Sequence, residues 1–452
     1  MNTDRDTIFA LSSGRPPAAI AVIRVSGPRA GRALAQMIGR LPQPRRASLA
    51  RVRDPASGEV IDEGLALWFP GPNSETGEDV AELQVHGGRA VIAAVLAALA
   101  GVNGLRPAEA GEFTRRAFEN GRMDLTAVEG LADLVAAETE AQRRQAFRQL
   151  EGLLGARAET WRQRLIEALA LVEAGIDFVD EDDVPRDAMA HALELVRPLA
   201  EEISQAGAGP GERLREGLRV AIAGPPNAGK STLFNRLARR DAAIVSPFPG
   251  TTRDVLEVHL DLNGYPVTIL DTAGIRDTSD PVESEGVRRA SAQAAAADLV
   301  LWMVDASAPD AGDDATLAGE VRSRLWVVVN KIDLVAETAA RRVESRFERE
   351  LTVHLLSSRT GSGVDQLVNA LSAFAEGFFA GEPALVTRER QRAHLKETAL
   401  ALRGAQQAAQ EGREEIMAEQ LRLATRALGK LLGRVDVEDI LDVIFRDFCI
   451  GK

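Results

Sequence analysis

The sequence predicts a multidomain α/β protein: an amino-terminal α+β unit, a helical bundle made from two separated stretches, and an inserted, doubly wound, mostly parallel sheet with a phosphate loop. Three observations predict it. Residues 224–231 read Gly-Pro-Pro-Asn-Ala-Gly-Lys-Ser, a complete phosphate-cradling loop. A strand precedes it (Arg219-Val-Ala-Ile-Ala) and a helix follows (Thr232-Leu-Phe-Asn-Arg-Leu), which is the context such a loop requires. The loop opens at position 224 of 452, and apolar residues recur at helical spacing on both sides of the α/β stretch, so two other bodies flank it.

Residues 1–120 mix short β-like runs with Gly and Pro turns and an Ala-rich helix near 89–100. The runs Ala19-Ile-Ala-Val-Ile-Arg-Val, Gly64-Leu-Ala-Leu-Trp-Phe and Ala81-Glu-Leu-Gln-Val read as strands, hence an α+β domain. Residues 121–214 are helical, with Leu131, Leu134 and Val135 and then Leu165, Leu169 and Val172 marking the apolar face. Ala206-Gly-Ala-Gly-Pro-Gly211 is the expected linker into residues 215–378, where strands alternate with helices as in a doubly wound sheet. Residues 379–452 turn helical again and are expected to pack with 121–214.

Composition bounds the function. With 45% hydrophobic and 27% charged residues the chain reads as soluble globular protein, too long for one core. The longest apolar run, Val91 to Val102, is too short to span a bilayer, and Asp4, Arg5 and Asp6 lead into Ile8 without a secretory pattern. A cytoplasmic location without a membrane partner is therefore expected. The one cysteine, Cys449, excludes an intramolecular disulfide. A net charge of −13 disfavours a broad basic face for nucleic acid, and 4% aromatics disfavours a stacking platform, so any RNA it serves calls for a basic partner.

Four further signatures follow the loop in the order that a GTP-hydrolysing domain needs. In the loop itself Asn227, Ala228 and Gly229 turn backbone N–H groups toward phosphate, Lys230 bridges the β- and γ-phosphates, and Ser231 offers a hydroxyl to Mg²⁺, with Thr232 beside it. Ser246, Pro247, Phe248, Pro249, Gly250, Thr251 and Thr252 form the next segment, in which Thr252 is the second Mg²⁺ hydroxyl. Asp271-Thr272-Ala273-Gly274 follows a strand, placing Asp271 as an outer-sphere Mg²⁺ partner and the Gly274 N–H near the γ-phosphate. Asn330-Lys331-Ile-Asp333 follows another strand, and Asp333 can accept two hydrogen bonds from guanine N1 and N2, which adenine lacks. Ser357, Ser358 and Arg359 close the base pocket.

After Gly274, where small regulatory GTPases place a water-orienting Gln, the chain has Ile275. Isoleucine cannot orient a nucleophile, and Asp277, Asp280, Glu283 and Glu285 are the carboxylates that follow. No arginine is evidently placed in cis to neutralise the β–γ charge. A monovalent cation held by Asn227 and oxygens of residues 246–251 could take that role.

With Trp68-Phe-Pro-Gly-Pro-Asn-Ser74, Thr76-Gly-Glu-Asp79, the nucleotide motifs and the terminal Cys449-Ile-Gly-Lys452, the chain resembles the tRNA modification GTPase (MnmE/TrmE) family along essentially its whole length. The resemblance implies a homodimer with a tetrahydrofolate-binding amino-terminal domain, a discontinuous helical domain and an inserted GTPase domain. It implies an FAD/NADH-dependent partner subunit and modification of C5 of the wobble uridine of certain tRNAs. The cofactors implied are Mg²⁺, K⁺ and a 5-formyl- or 5,10-methylene-tetrahydrofolate.

By the same resemblance Glu283, twelve residues after Asp271, orients the hydrolytic water, and Asn227, Ser246, the Phe248 carbonyl and Thr251 hold K⁺. Arg24, Glu82, Arg122 and Lys452 form the folate site, with Arg122 where the family usually has lysine. Cys449 is open to two readings, a nucleophile or a packing residue flanked by Phe445, Phe448 and Ile450. His86-Gly-Gly88 reads as a turn rather than a catalytic base, and the acidic run Asp177 to Asp183 as a solvated helix end. The rival readings are a ribosome-assembly or signalling GTPase without one-carbon chemistry, and a membrane-remodelling GTPase. The first predicts a basic RNA face and the second a lipid-binding segment, and neither is evident.

Overall fold

The computed structural model describes residues 6–177, 188–209, 211–240, 242–244, 257–271, 297–308, 324–347, 351–380, 384–435, 441, 444–446 and 448–451. They form two compact units. The first comprises Met1–Ala132, Arg148–Gln205 and Ala393–Lys452, and the second comprises Asp133–Phe147 and Ala206–Arg392.

The first unit contains a six-stranded sheet of β1 (Thr7–Leu11), β2 (Ile20–Ser26), β3 (Ser48–Arg53), β4 (Val60–Phe69), β5 (Val80–His86) and β6 (Leu105–Pro107), in the order β3-β4-β5-β2-β1-β6. Every pairing is antiparallel except β1 with β6. Alternation sets its two faces: Ala21, Ile23 and Val25 of β2 and Ala81, Leu83 and Val85 of β5 are buried together with Leu34 and Met37 of the helix Ala30–Ile38 and with Val95 and Leu99 of the helix Arg89–Ala100. Because the side-chain period is two, Arg24 and Glu82 point to the other face, and the β2–β5 register sets them directly opposite each other.

The helical part of this unit joins segments far apart in sequence. The helix Leu153–Asp177 buries Leu154, Ala158, Trp161, Leu165, Ala168 and Val172, and the helix Glu414–Leu432 buries Met417, Leu421, Ala424, Leu428 and Leu431. Both sets follow the three-and-four spacing of one helix face. The two helices pack together, and the seam is edged by Arg422 Nη2 to Glu173 at 2.8 Å and Arg434 to Glu159 at 2.9 Å. Burying each Leu contributes about 1.5–3 kcal/mol, so packing rather than these exposed ion pairs supplies the stability.

In the second unit β7 (Leu218–Ala223), β8 (Glu257–Leu262), β9 (Tyr265–Asp271), β10 (Leu299–Asp305), β11 (Leu325–Asn330) and β12 (Thr352–Leu355) form a sheet of order β12-β11-β10-β7-β9-β8. All pairs are parallel except the β8–β9 hairpin, whose turn uses Asn263 and Gly264 at φ 54° and 89°. The central strand β7 is buried on both faces: Val220 and Ile222 lie in the larger core, Ala221 and Ala223 in a second one. This explains the unbroken apolar run Val220-Ala-Ile-Ala223, as expected of a doubly wound sheet.

The segment Asp133–Phe147 belongs to this second unit. Arg388 Nη2 pairs with Asp133 at 2.6 Å, the Ala141 N–H donates to the Gly264 carbonyl at 3.0 Å, and Gln142 Nε2 donates to the Arg215 carbonyl at 3.0 Å. In the expected linker, the carbonyls of Gly207 and Gly209 accept from Arg392 at 2.9 and 2.7 Å. Among the described residues no helix is long and apolar enough to cross a membrane.

Candidate functional site

The phosphate loop connects β7 to the helix Lys230–Ala238, and its backbone explains its residue types. Gly224 has φ +137°, and a Cβ there would lie 2.5 Å from the Met303 carbonyl oxygen; Gly229 has φ +100°, and a Cβ would lie 2.2 Å from Asn330 Nδ2. Neither place admits a side chain. Asn227 is left-handed at φ 62° and exposed, and Ala228 is buried. Lys230 Nζ donates to the carbonyls of Gly224 and Pro225, both at 2.9 Å, which holds the ammonium inside the arch of the loop. Ser231 and Thr232 are exposed on the first turn of the helix, where N–H groups face outward and favour an anion.

The guanine signature and the loop meet at one buried side chain. Asn330, at the end of β11 and 2% exposed, donates from Nδ2 to the Ala228 carbonyl at 2.7 Å. Its Oδ1 accepts from the Ser358 N–H at 2.8 Å and the Ser358 hydroxyl at 3.0 Å. Asn330 therefore ties the phosphate loop to the base loop, while the exposed Asp333, in the 3-10 turn Ile332–Leu334, remains available to a base. Lys331, left-handed at φ 64°, pairs through Nζ with Asp305 Oδ2 at 2.6 Å. Partial burial pushes the Asp305 pKa up, but hydrogen bonds from Lys331 and Ser307 outweigh it and hold the carboxyl below the usual range.

Ser357 and Ser358 are fully or nearly buried and Arg359 is exposed. Asp271, the last residue of β9, is 4% exposed and sits beside Ile222 in the sheet register, next to the start of the phosphate loop. Thr252, Ser246, Pro247, Phe248, Pro249, Gly250, Thr251, Thr272, Ala273, Gly274, Ile275 and Glu283 lie outside the described residues, as does Lys452. Two contributors escaped sequence reasoning. Asp305 carried a faint signal as the acid closing an apolar strand; Arg236, which reaches the base loop, carried none.

The first unit holds a second candidate site. A cavity of about 750 Å³ is lined by Arg45, Phe69, Asn73, Ser74, Glu75, Val80, Glu82 and Arg122. That size suits a cofactor-sized ligand. Arg24 donates to Glu82 Oε1 from Nε at 3.1 Å and from Nη2 at 3.0 Å, and pairs with Glu75 through Nη1. Arg24 and Glu82 are each 16% exposed, so the pair is held in a partly dry wall.

The carboxy-terminal tail runs against the same sheet. Ile450 bridges to Ala110, the Gly111 N–H donates to the Cys449 carbonyl, and Gly451, at φ +97°, packs so closely on Leu11 that a Cβ would lie 2.2 Å from its carbonyl oxygen. Leu11 pairs with Ile23, next to Arg24, so the tail ends near the folate candidates. Phe445 and Phe448 pack with Leu125 and Val128, whereas Cys449 and Ile450 are exposed. The expected packing role therefore holds for the two phenylalanines and not for their neighbours. His86 ends β5 just before the helix that starts at Arg89, and its Nδ1 lies 2.9 Å from Asp62, consistent with a turn.

The chain also matches known families. Residues 7–122 match the family described as GTP-binding protein TrmE N-terminus, and residues 125–449 match the MnmE helical domain. A tRNA modification GTPase MnmE of Bradyrhizobium sp. strain BTAi1 is 57% identical over 455 residues, covering 100% of both chains. Its counterpart in Rhodopseudomonas palustris strain BisB18 is 56% identical over 456 residues, and that in Azorhizobium caulinodans is 53% identical over 455, each again covering 100% of both chains.

Proposed function

Because this chain belongs to the tRNA modification GTPase MnmE family and is a GTP hydrolase of tRNA modification, we propose that its GTP cycle drives aminomethyl or carboxymethylaminomethyl addition at C5 of a wobble uridine. GTP and Mg²⁺ binding come with the family. The finer reading is a homodimer that works in the cytoplasm with an FAD/NADH-dependent partner subunit, takes a 5-formyl- or 5,10-methylene-tetrahydrofolate and uses K⁺.

Each residue then has a task. Lys230, already inside the loop arch, meets the β- and γ-phosphate oxygens; Ser231 and Thr232 stand where phosphate and Mg²⁺ arrive; and Asp333 accepts from guanine N1 and N2. Thr252 is the second Mg²⁺ hydroxyl, and Glu283 orients the attacking water in place of the glutamine that Ile275 displaces. Asn227, exposed and left-handed beside the phosphate site, fits a cation ligand, joined by Ser246, the Phe248 carbonyl and Thr251. K⁺ would supply positive charge at the β–γ bridge. When two nucleotide domains meet, Glu283 is brought to the attacking water; hydrolysis then releases them.

In the folate site Glu82, paired with Arg24, accepts from pterin N–H groups, while Arg122 and Lys452 meet glutamate carboxylates or pterin oxygens. The bound folate would supply the one-carbon unit. The exposure of Cys449 supports its reading as a nucleophile toward that unit.

One observation carries this reading: a cavity lined by Glu82 and Arg122, with Glu82 held by the opposed Arg24, a feature that nucleotide hydrolysis alone does not use. Mass spectrometry of wobble uridines from cells lacking the protein tests it, and unaltered modification would reject it. Equal GTP turnover in sodium and potassium chloride would reject the cation role alone.

A further inference from the structure

We infer that Arg236 is a positioning residue for guanine recognition, acting from the phosphate-loop helix on the base loop. Arg236 lies in the last turn of the helix Lys230–Ala238, and its guanidinium crosses to the loop after β12. Nε donates to the Ser358 carbonyl and Nη2 to the Arg359 carbonyl, both at 2.5 Å. Two donors of one rigid plane thus hold two consecutive carbonyls of the base loop.

The consequence follows from peptide geometry. A trans peptide sets its N–H opposite its C=O, so turning the Ser358 and Arg359 carbonyls toward Arg236 turns the N–H groups of Arg359 and Thr360 away from it. The Thr360 N–H is taken by Ser357 Oγ at 3.1 Å, and the Gly361 N–H by the Ser357 carbonyl at 2.8 Å. The loop is thereby wound tightly around Ser357, with Asn330 accepting from the Ser358 N–H and hydroxyl. The loop thus holds the Arg359 N–H in a fixed direction away from Arg236, and a donor is what distinguishes the O6 acceptor of guanine from the amino group of adenine. Gly361 makes room for the arrangement, since a Cβ there would lie 2.7 Å from Arg236 Nη1.

Arg236 touches neither phosphate nor base, so its effect is on affinity and base choice rather than on bond cleavage. The chain's carboxylate reader, Asp333, senses N1 and N2; the loop set by Arg236 senses the 6-position. The two functions are therefore separable with nucleotide analogues.

The test is nucleotide affinity of the full chain with Arg236→Ala, Arg236→Lys and Arg236→Gln, read with GDP, IDP and 2-aminopurine riboside diphosphate. Arg236→Ala should raise the dissociation constants for GDP and IDP by the same factor, about tenfold, the equivalent of one lost charge-assisted bond. The analogue without O6 should bind wild type and variant alike. Arg236→Lys and Arg236→Gln, each keeping one donor nitrogen in place of two, should fall between. In GTP turnover KM should rise while kcat at saturation stays within about twofold. Equal weakening of all three nucleotides, or a folded Arg236→Ala variant with wild-type GDP affinity, would overturn the inference. So would loss of kcat at unchanged KM. If Arg236→Ala melts before nucleotide is added, the Lys and Gln variants carry the same comparison.

Discussion

Asn330 reaches back across the sheet to Ala228: its Nδ2 donates to the Ala228 carbonyl at 2.7 Å, while its Oδ1 accepts from Ser358. One amide thereby joins the phosphate loop to the base loop. Asn330→Ala leaves three buried polar groups without partners, each costing about 1–3 kcal/mol. A lowered melting temperature and GDP binding weakened by more than about tenfold are expected. Asn330→Asp keeps the acceptor but loses the donor and should fall between; thermal melts with fluorescent-GDP titration check both.

Lys230 already sits under the Gly224 and Pro225 carbonyls, at 2.9 Å from each. Lys230→Ala removes the positive charge that meets the β- and γ-phosphates, at a partly exposed position. GTP turnover should fall by roughly 100-fold or more while the melting temperature hardly changes. Phosphate release at saturating GTP measures the first and calorimetry the second.

Glu82 faces Arg24 across two strands, with both hydrogen bonds falling on Oε1. Glu82→Gln keeps the shape and removes the charge, and 5-formyl-tetrahydrofolate should bind about tenfold more weakly or worse. GTP turnover should be unaffected, because Glu82 belongs to the other compact unit. Titration calorimetry with the folate, beside phosphate release from GTP, would show whether the two functions separate.

Glu112 is 11% exposed and pairs with Arg106 at 2.6 Å and Arg116 at 3.0 Å. Burial pushes its pKa up, but hydrogen bonds from Arg106, the Glu109 N–H and Arg116 outweigh this and hold it below the ordinary value. A depressed folded pKa means the stabilisation is fully present above the unfolded value of about 4.3 and is lost as pH falls through the folded value. Glu112→Gln should cost about 3 kcal/mol near neutrality and flatten the acid limb of a melting-temperature profile below about pH 4.5. An unchanged acid limb would show that other carboxylates control it.

Much of the fold was legible because its signals are local. The Ala21-Ile23-Val25 alternation, the apolar run Val220-Ala-Ile-Ala223 of β7 and the three-and-four spacing of Leu165 and Val172 each follow from which neighbours a strand or helix must face. The nucleotide motifs were equally plain: Gly224 and Gly229 are glycines because backbone and side-chain atoms stand where a Cβ would go. The Arg24–Glu82 pair was nameable only by resemblance, since 58 residues separate them and nothing local marks their opposition. Arg236 and Asp305 were missed because an arginine on a helix and an acid after a strand are ordinary surface residues until a partner is seen.

What the sequence by itself determined is chemical identity and order: a phosphate loop, a guanine reader, an absent glutamine at Ile275 and a mid-chain insertion, all encoded within windows of a few residues. What only the tertiary structure decided is which distant groups share a site. The grip of Asn330 on Ala228, the reach of Arg236 to Ser358, and the tail of Gly451 against Leu11 depend on strand order and register. The physical reason is range. Steric and propensity effects act over one or two turns of chain, whereas a hydrogen bond between residues a hundred positions apart exists only after the packed cores have fixed both backbones.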